Sequence, residues 1–230
     1  MNDSSVGPGA QTGRMPSLAW CALAAAVLLS IGCGGDKRNT GDAAPPVEFS
    51  AARPRPEVDA RHPVVRIDTN LGAITLRLDA VEAPGTVRNF LNYVADGFYA
   101  NTLFHYVAAD QMILGGGYTA AGGLKPAGTP IRNEAHNGLK NRRGTIAMAR
   151  DASLGIDSAT CQFFINLADA PTLDYRGDSP GEYGYCVFGE VADGLDVAEQ
   201  ISRAPTSDQG GDLVQMPDPP VVIRSITRVK

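Results

Sequence analysis

The chain has little of what metal or phosphate chemistry requires. Among its 230 residues there are only three histidines, His62, His105 and His136, and imidazoles scattered in this way do not indicate a metal site. The run Gly115-Gly116-Gly117 is not followed by the Gly-Lys-Ser or Gly-Lys-Thr of a phosphate-binding loop. We therefore expect no metal site and no nucleotide cofactor held by a phosphate-binding loop.

An excess of basic charge is also missing. Asp and Glu total 25 against 20 Lys and Arg, which gives a formal net charge of −5. Residues 1–62 contain equal numbers of acids and bases, so the whole imbalance lies in residues 63–230. A mildly acidic domain offers no surface for phosphates, and nucleic acid is not an expected partner.

The N-terminal apolar run is short for a membrane-spanning helix. Residues 16–32 carry no charge, and Leu18 to Ile31 are mostly Leu, Ala, Val and Ile. This length is near the upper limit for the core of an export signal, whereas a spanning helix needs about 20 residues. We interpret residues 1–32 as a signal peptide, with Met15 as an alternative start.

The same run ends in Leu29-Ser30-Ile31-Gly32-Cys33, which resembles a bacterial lipobox, the motif whose cysteine is lipidated after cleavage. The resemblance implies an exported protein anchored by lipid at Cys33 to the bacterial cell envelope, on the periplasmic face of a membrane. Several acyl chains on one cysteine suffice for stable anchoring. Gly34 after the cysteine favours the outer membrane where a bacterium has two membranes. An uncleaved anchor with an incidental cysteine is the alternative.

Residues 33–62 comprise this cysteine and a following segment without apolar periodicity. Charges alternate with prolines, as in Pro45-Pro46 and Arg53-Pro54-Arg55-Pro56. Such a composition does not bury enough apolar surface to offset chain entropy, so we expect a disordered tether. Residues 63–230 are enough for one domain with a substantial core.

The folded domain is predicted to begin near Pro63 with a β-hairpin. Val64–Thr69 and Ala73–Leu78 alternate apolar and polar residues around Asn70-Leu71-Gly72. This alternation gives each strand one buried and one exposed face.

Two helices and six more strands follow the hairpin. Apolar residues at i, i+3, i+4 and i+7 between Pro84 and Gly97 predict the first helix, and Leu195–Ile201 is expected to form the second. This order suits a mainly β fold, a closed antiparallel barrel with helices over its ends. The strands are predicted at Thr102–His105, Ile113–Gly115, Gly144–Met148, Gln162–Ile165, Cys186–Val191 and Val221–Val229.

The segment Phe104-His105-Tyr106-Val107, followed by Met112-Ile113-Leu114-Gly115-Gly116-Gly117, resembles the active-site segment of the cyclophilins, the peptidyl-prolyl isomerases. In that family the pattern runs Phe-His-Arg-Val and then Phe-Met-Ile-Gln-Gly-Gly. The resemblance spans about residues 64–229 and implies the eight-stranded cyclophilin barrel with two capping helices. Further motifs similar to the family, and to its bacterial branch in residues 137–141, occur in order at residues 89–91, 97–99, 133–135, 144–149, 158–165 and 184–189.

The resemblance also implies a site. Prolyl isomerisation rotates a bond against a barrier of about 18–20 kcal/mol set by amide resonance. It requires an apolar pocket for the proline ring and a hydrogen-bond donor that favours the twisted state. By position in the family, the pocket is expected from Met112, Phe164 and Leu173, with Ala149 and Gln162 lining the peptide groove and Tyr185 at its rim.

Three family residues are replaced in the opening segment. Tyr106 stands where the family has its catalytic arginine, Gln111 replaces an aromatic wall, and Leu114 replaces the glutamine that positions the arginine. Thr172 stands where many members have tryptophan or phenylalanine. Loss of a charge-assisted donor is worth about 1.5–3 kcal/mol, or roughly ten- to a hundredfold in rate.

The candidates for catalysis are therefore Tyr106 and Gln162. Tyr106 is a donor to the twisted nitrogen or only an aromatic side wall for a bound peptide. We expect His105 to be a hydrogen-bonded core histidine at the substrate site and not an acid–base group. Arg142, Arg143 and Arg150 are interpreted as ordinary surface charges rather than replacement donors; the side chains expected to contact substrate are His105, Gln111, Met112, Leu114, Ala149, Phe164, Thr172, Leu173 and Tyr185.

Two functions from different classes follow. The first is a lipid-anchored prolyl isomerase of reduced rate that assists folding of exported proteins. The second is a catalytically silent module that binds proline peptides, a tethered holdase. Either would act as a monomer on proline-containing segments of exported proteins. In an oxidising compartment Cys161 and Cys186 are the remaining thiols, and two buried free thiols are favoured over a disulfide.

Overall fold

The computed structural model describes residues 59–229, and within them eight strands close into an antiparallel barrel. The predicted barrel with two helices is confirmed. The helices are α1 (Pro84–Ala95) and α2 (Leu195–Ser202), and a small separate sheet pairs β8 (Thr206–Ser207) with β9 (Met216–Pro217). The barrel strands are β1 (Val64–Thr69), β2 (Ala73–Leu78), β3 (Thr102–Ala108), β4 (Met112–Thr119), β5 (Thr145–Met148), β6 (Phe163–Asn166), β7 (Val187–Asp193) and β10 (Val221–Arg228). Around the barrel they pair in the order β1-β10-β3-β4-β6-β5-β7-β2.

The N-terminal predictions lie mostly outside the described residues. The signal peptide at 1–32, Cys33 and the tether up to residue 58 belong to that part. At residues 59–62 the chain already contacts the domain, because the Ala80 amide donates to the Arg61 carbonyl at 2.9 Å. Within residues 59–229, no helix is long and apolar enough to cross a membrane.

The predicted hairpin forms from β1 and β2, which pair antiparallel from Val64 opposite Arg77 to Asp68 opposite Ala73. Alternate residues of both strands are buried, as the apolar–polar alternation requires. Thr69 closes the turn, since its hydroxyl donates to the Gly72 carbonyl at 2.7 Å and accepts from the Leu71 and Gly72 amides.

Helix α1 begins at Pro84, as predicted, but its N-terminus is capped from elsewhere in the chain. Ala83 has no side chain that can accept a hydrogen bond. Instead the Glu134 carboxylate accepts from the amides of Gly85 and Thr86 at 3.1 and 2.8 Å, and from the Thr86 hydroxyl. A carboxylate placed there satisfies amides that have no partner within the helix and complements the helix dipole.

The barrel interior and both helices share one apolar core. Phe163 of β6 lies at its centre, fully buried, with ring centroids 5.6 Å from Phe90 and 5.5 Å from Tyr99. Ala198 and Ile201 of α2 pack into the same core. Both helices therefore help to exclude water from the barrel.

Strands β3 and β4 are longer than the predicted segments, and the β8–β9 pair was not predicted. β3 and β4 continue to Ala108 and Thr119 because they pair with each other over most of that length, with register shifts on either side of Phe104. Register shifts interrupt the alternation of buried and exposed side chains, so these strand ends leave no periodic pattern in the sequence. Strands of two residues, such as β8 and β9, are too short to show alternation.

Candidate active site

Five side chains form a row across the outer face of the barrel. Tyr106 on β3 lies opposite Leu114, Leu114 opposite Phe164, Phe164 opposite Ala147, and Ala147 opposite Val187. Directly opposed residues of paired strands share a face of the sheet. We call these five residues the outer row.

The face of the row follows from β6. Phe163 and Ile165 belong to the barrel core, whereas Phe164 belongs to a separate apolar cluster. Since side chains alternate along a strand, Phe164 points away from the interior. An apolar cluster outside the barrel core is a surface suited to binding.

This outer cluster contains most of the predicted pocket. Ala147, Phe164 and Val187 are its buried members. The ring of Phe164 meets that of Tyr185 edge to face, with centroids 5.6 Å apart. The partly buried members are Met112, Leu114, Leu139, Ala149, Leu173 and Tyr185. All six predicted apolar contact residues, Met112, Leu114, Ala149, Phe164, Leu173 and Tyr185, are thus brought together.

Three members of the outer cluster were not predicted. Ala147 and Val187 complete the outer row, and Leu139 packs against it. Ala147 lies two residues before Ala149, so strand alternation alone carried the signal that both share a face. Leu139 lies outside any strand, and no sequence periodicity marks it.

A cleft of about 740 Å³ adjoins the outer cluster. Leu114 and Ala149 belong to both and connect them. The predicted site residues that line the cleft are His105, Tyr106, Leu114, Ala149 and Gln162. The cleft and the cluster together form one groove, apolar at one end and polar at the other.

Gln111 and Thr172 are not brought into this groove. Both side chains are exposed, and neither lines the cleft. Gln111 precedes β4, and its backbone pairs with Ala108 and Leu167. Thr172 lies in a short turn beside Leu173. Their contribution to substrate binding stays a prediction from the family pattern.

Tyr106 presents a free donor to the cleft. Its side chain is half-buried, and no group among residues 59–229 forms a hydrogen bond with its hydroxyl. A hydroxyl without an internal partner is available to a bound peptide. Gln162 lines the same cleft and offers a side-chain amide.

Among the residues of 59–229 that line the cleft, Arg150 is the one arginine, and it does not take the place of the family's guanidinium. Arg150 lines the cleft, but its Nε donates to the Gly184 carbonyl and its Nη2 to the Pro180 carbonyl, both at 3.0 Å. Its guanidinium also lies 5.1 Å from the centroid of the Tyr185 ring. Arg150 therefore fastens loops together rather than facing substrate. Arg143 pairs with Glu199, away from the cleft.

The three consecutive glycines permit close packing behind the site. A Cβ at Gly115 would lie 2.8 Å from the Leu103 carbonyl oxygen, and one at Gly117 would lie 2.6 Å from Nε2 of Gln162. Real Cβ atoms do not approach other atoms so closely. The glycines therefore allow the chain to pack against Leu103 and Gln162, and they do not form a phosphate-binding loop. Gly117 in particular leaves the space in which the Gln162 side chain rests.

His105 is buried, as predicted, but it is less hydrogen-bonded than expected. Its side chain is 1% exposed and packs on Tyr118 with ring centroids 4.6 Å apart. Nδ1 has no hydrogen-bond partner among residues 59–229. Burial lowers the pKa of His105 to about 4, and the charge of Asp212 offsets this only in part. The imidazole is therefore neutral near pH 7.

Acidification is expected to destabilise the domain through His105. An unfolded chain binds a proton at this imidazole below about pH 6.5, whereas the folded state does so only near its pKa of about 4. The free energy of unfolding should thus fall by up to about 3 kcal/mol as pH falls from 6.5 to 4. Urea denaturation at several pH values measures this slope.

The slope is assigned by replacing the imidazole itself. His105→Gln should flatten it, because the glutamine side chain binds no proton in either the folded or the unfolded state. A slope that survives in His105→Gln would contradict the assignment.

Cys161 and Cys186 are both buried and free, which confirms the preference for two thiols over a disulfide. Burial raises the pKa of Cys186 to about 12, and it also raises that of Cys161. Neither thiol is therefore a nucleophile at neutral pH. The two residues lie just outside β6 and β7 rather than on them.

Comparison with known proteins places this groove in context. Residues 64–228 match the family described as cyclophilin type peptidyl-prolyl cis-trans isomerase/CLD. Peptidyl-prolyl cis-trans isomerase B of Escherichia coli strain K12 is 46% identical over 164 residues, which cover 71% of this chain and 98% of that protein. Peptidyl-prolyl cis-trans isomerase cyp18 of Streptomyces antibioticus is 45% identical over 161 residues, covering 70% and 95%.

Solved structures agree with the sequence comparison. A crystal structure of a Cryptosporidium parvum cyclophilin type peptidyl-prolyl cis-trans isomerase matches with a TM-score of 0.58 at 26% identity, covering 74% of this chain and 98% of that one. A second structure of that protein, determined in the presence of the dipeptide Ala-Pro, matches with a TM-score of 0.58 at 28% identity, covering 73% and 99%.

Proposed function

The chain belongs to the cyclophilin-type peptidyl-prolyl cis-trans isomerases, and we propose that it isomerises proline peptide bonds of exported proteins at a reduced rate, from a lipid anchor at Cys33. The observation that carries the reduced rate is Tyr106, which lines the cleft beside the outer cluster and whose hydroxyl has no hydrogen-bond partner among residues 59–229. The pocket is kept, and the donor is changed.

The reaction needs selective stabilisation of a twisted amide. The outer cluster, with Met112, Phe164 and Leu173, holds the proline ring by apolar contact. Tyr106 is two strands away from Phe164 along the outer row, about 10 Å at the usual strand spacing. A tyrosine hydroxyl can bridge part of that span and donate to the proline nitrogen as it regains its lone pair.

The rate is reduced because the donor is neutral. A guanidinium offers five donors and a positive charge, whereas the phenol offers one uncharged O–H. Leu114, next to Tyr106 in the outer row, cannot orient the donor by a hydrogen bond. Tyr106 is therefore expected to supply only the modest stabilisation of a neutral hydrogen bond.

The activity test uses the full chain and the substitution Tyr106→Phe, which keeps the ring and removes the hydroxyl. Exchange NMR on an Ala-Pro peptide should detect catalysis above the spontaneous rate, and the substitution should lower kcat/KM about three- to tenfold. The matched control is Tyr183→Phe, because the hydroxyl of Tyr183 lies near Asn133 and His136, outside the cleft. Catalysis no faster than the spontaneous rate would favour the silent binding module.

Export and anchoring are supported by the uncharged segment at residues 16–32 and the lipobox-like sequence that ends in Cys33. Both features lie outside the described residues. Labelled palmitate should enter the wild-type chain in a bacterial host and not Cys33→Ser. Equal labelling of the wild-type chain and the Cys33→Ser variant would show that Cys33 is not the lipidated residue.

A further inference from the structure

One wall of the cleft is formed by a segment far from the active-site strands in sequence. Asp212 and Val214 line the cleft. Tyr118 of β4 donates its hydroxyl to Asp212 at 2.7 Å, and the Val107 amide of β3 donates to the Gln215 carbonyl at 3.1 Å. The segment is therefore attached to the strands that carry the site, and Asp212 has a fixed position.

The lining of the cleft is acidic. Three carboxylates, Asp151, Asp157 and Asp212, oppose the single guanidinium of Arg150. Arg150 donates to three backbone carbonyls. Within residues 59–229, no Lys or Arg forms an ion pair with any of the three carboxylates.

Each of these carboxylates keeps acceptor capacity. Asp212 accepts through Oδ2 from Tyr118, Asp157 through Oδ1 from the Asn133 amide, and Asp151 through Oδ1 from Ser153. In each case the other oxygen has no hydrogen-bond donor among residues 59–229. These free oxygens are available to a ligand cation.

No opposing charge is provided by the active-site residues. Tyr106 is neutral where the family has an arginine, and His105 lines the cleft as a neutral imidazole whose Nδ1 has no partner among residues 59–229. A cleft lined by three carboxylates and one guanidinium that is already bonded to backbone carbonyls attracts positive charge.

The rim of the cleft is apolar. Leu124, Leu154 and Val214 are 63%, 76% and 46% exposed, and all three line the cleft together with Pro130. Exposed aliphatic residues next to carboxylates match the chemistry of a long side chain with an apolar stem and a charged end.

We propose that the cleft selects client segments that carry a lysine or arginine a few residues from the proline. The stem of that side chain lies along Leu124, Leu154 and Val214, and its charged end faces Asp212 and Asp157. The inference rests on the proposed function, because the proline must occupy the outer cluster. It adds the class of segment that the enzyme prefers.

The test compares three host peptides of Ala and Pro that carry lysine, norleucine or glutamate, with this residue moved through the three positions on each side of the proline. Norleucine has the stem of lysine without the charge. With the full chain at low salt, lysine at one position should lower Kd about three- to tenfold relative to norleucine, and glutamate should raise it. The preference should shrink in 0.5 M salt.

Two substitutions assign the preference to the cleft. Asp212→Asn keeps an acceptor for Tyr118, and it should reduce the lysine preference about two- to threefold, as should Asp157→Asn. Asp193→Asn makes the same change in net charge at an exposed residue outside the cleft, and it should leave the preference intact.

The outcomes separate this inference from the proposed function. Equal affinity for lysine and norleucine at every position overturns the inference, whatever the isomerase rate of the all-alanine host. A lysine preference that both cleft substitutions leave unchanged also overturns it. A lysine preference in a chain that does not catalyse isomerisation supports the cation site and rejects the enzymatic proposal.

Discussion

Replacing Tyr106 by arginine and Leu114 by glutamine together is expected to raise kcat/KM for an Ala-Pro peptide about ten- to a hundredfold. The two residues lie directly opposite each other on β3 and β4, so the new glutamine side chain is placed to orient the new guanidinium. The gain corresponds to a charge-assisted donor worth about 1.5–3 kcal/mol in the twisted state. Exchange NMR gives the rate for each variant.

The control places the same charge outside the cleft. Asn92→Arg adds a guanidinium at an exposed position of α1 that does not line the cleft, and it should leave the rate near that of the wild type. If the folded double variant shows no gain, the donor is not what limits the rate. The double variant should also weaken the lysine preference, because its arginine faces the same cleft.

Truncating two adjacent phenylalanines is expected to damage two different properties. Phe163→Ala should lower the free energy of unfolding by about 3–5 kcal/mol, since it leaves a cavity at the centre of the barrel core. Phe164→Ala should lower kcat/KM about ten- to a hundredfold, because it removes the apolar contact worth about 1.5–3 kcal/mol to the proline ring. Urea denaturation and exchange NMR measure the two effects.

Each phenylalanine variant is the control for the other. Under conditions in which Phe163→Ala remains folded, its kcat/KM should stay close to that of the wild type. Phe164→Ala should lose less stability than Phe163→Ala, because its cluster is small and lies outside the barrel. Full activity in a folded Phe164→Ala variant would place the proline elsewhere.

The barrel was predictable because its elements show their period in the sequence. The alternation in β1 and β2 and the helical stripe of α1 each indicate one element, and the motif order adds the closed topology. The strand ends were less predictable, since β4 continues through glycines that carry no apolar signal. The two strands of the β8–β9 pair have two residues each, which is too short for their sequence to indicate a strand.

The apolar part of the site was predictable from the family pattern. Met112, Phe164 and Leu173 keep the residue types of the family at matching positions, and the structure brings them together. The polar surroundings depend on residues distant in sequence. Glu134 caps α1 from 48 residues away, and Asp212 reaches Tyr118 across 94. Pairings of this kind leave no local pattern.

The unpartnered Nδ1 of His105 shows a further limit. The sequence indicates a buried histidine, but whether each ring nitrogen finds a partner depends on the positions of side chains around it. Tyr118 could have been such a partner, yet its hydroxyl donates to Asp212 instead. The imidazole is left buried without that bond, and burial lowers its pKa to about 4.

The outer row has an evolutionary consequence. Its five residues come from five different strands, and each is held in place by backbone pairing that does not depend on the side chain. Selection can therefore exchange one member without shifting its neighbours. A single substitution at Tyr106 can therefore alter rate and client preference, while Met112, Phe164 and Leu173 keep their places in the proline pocket.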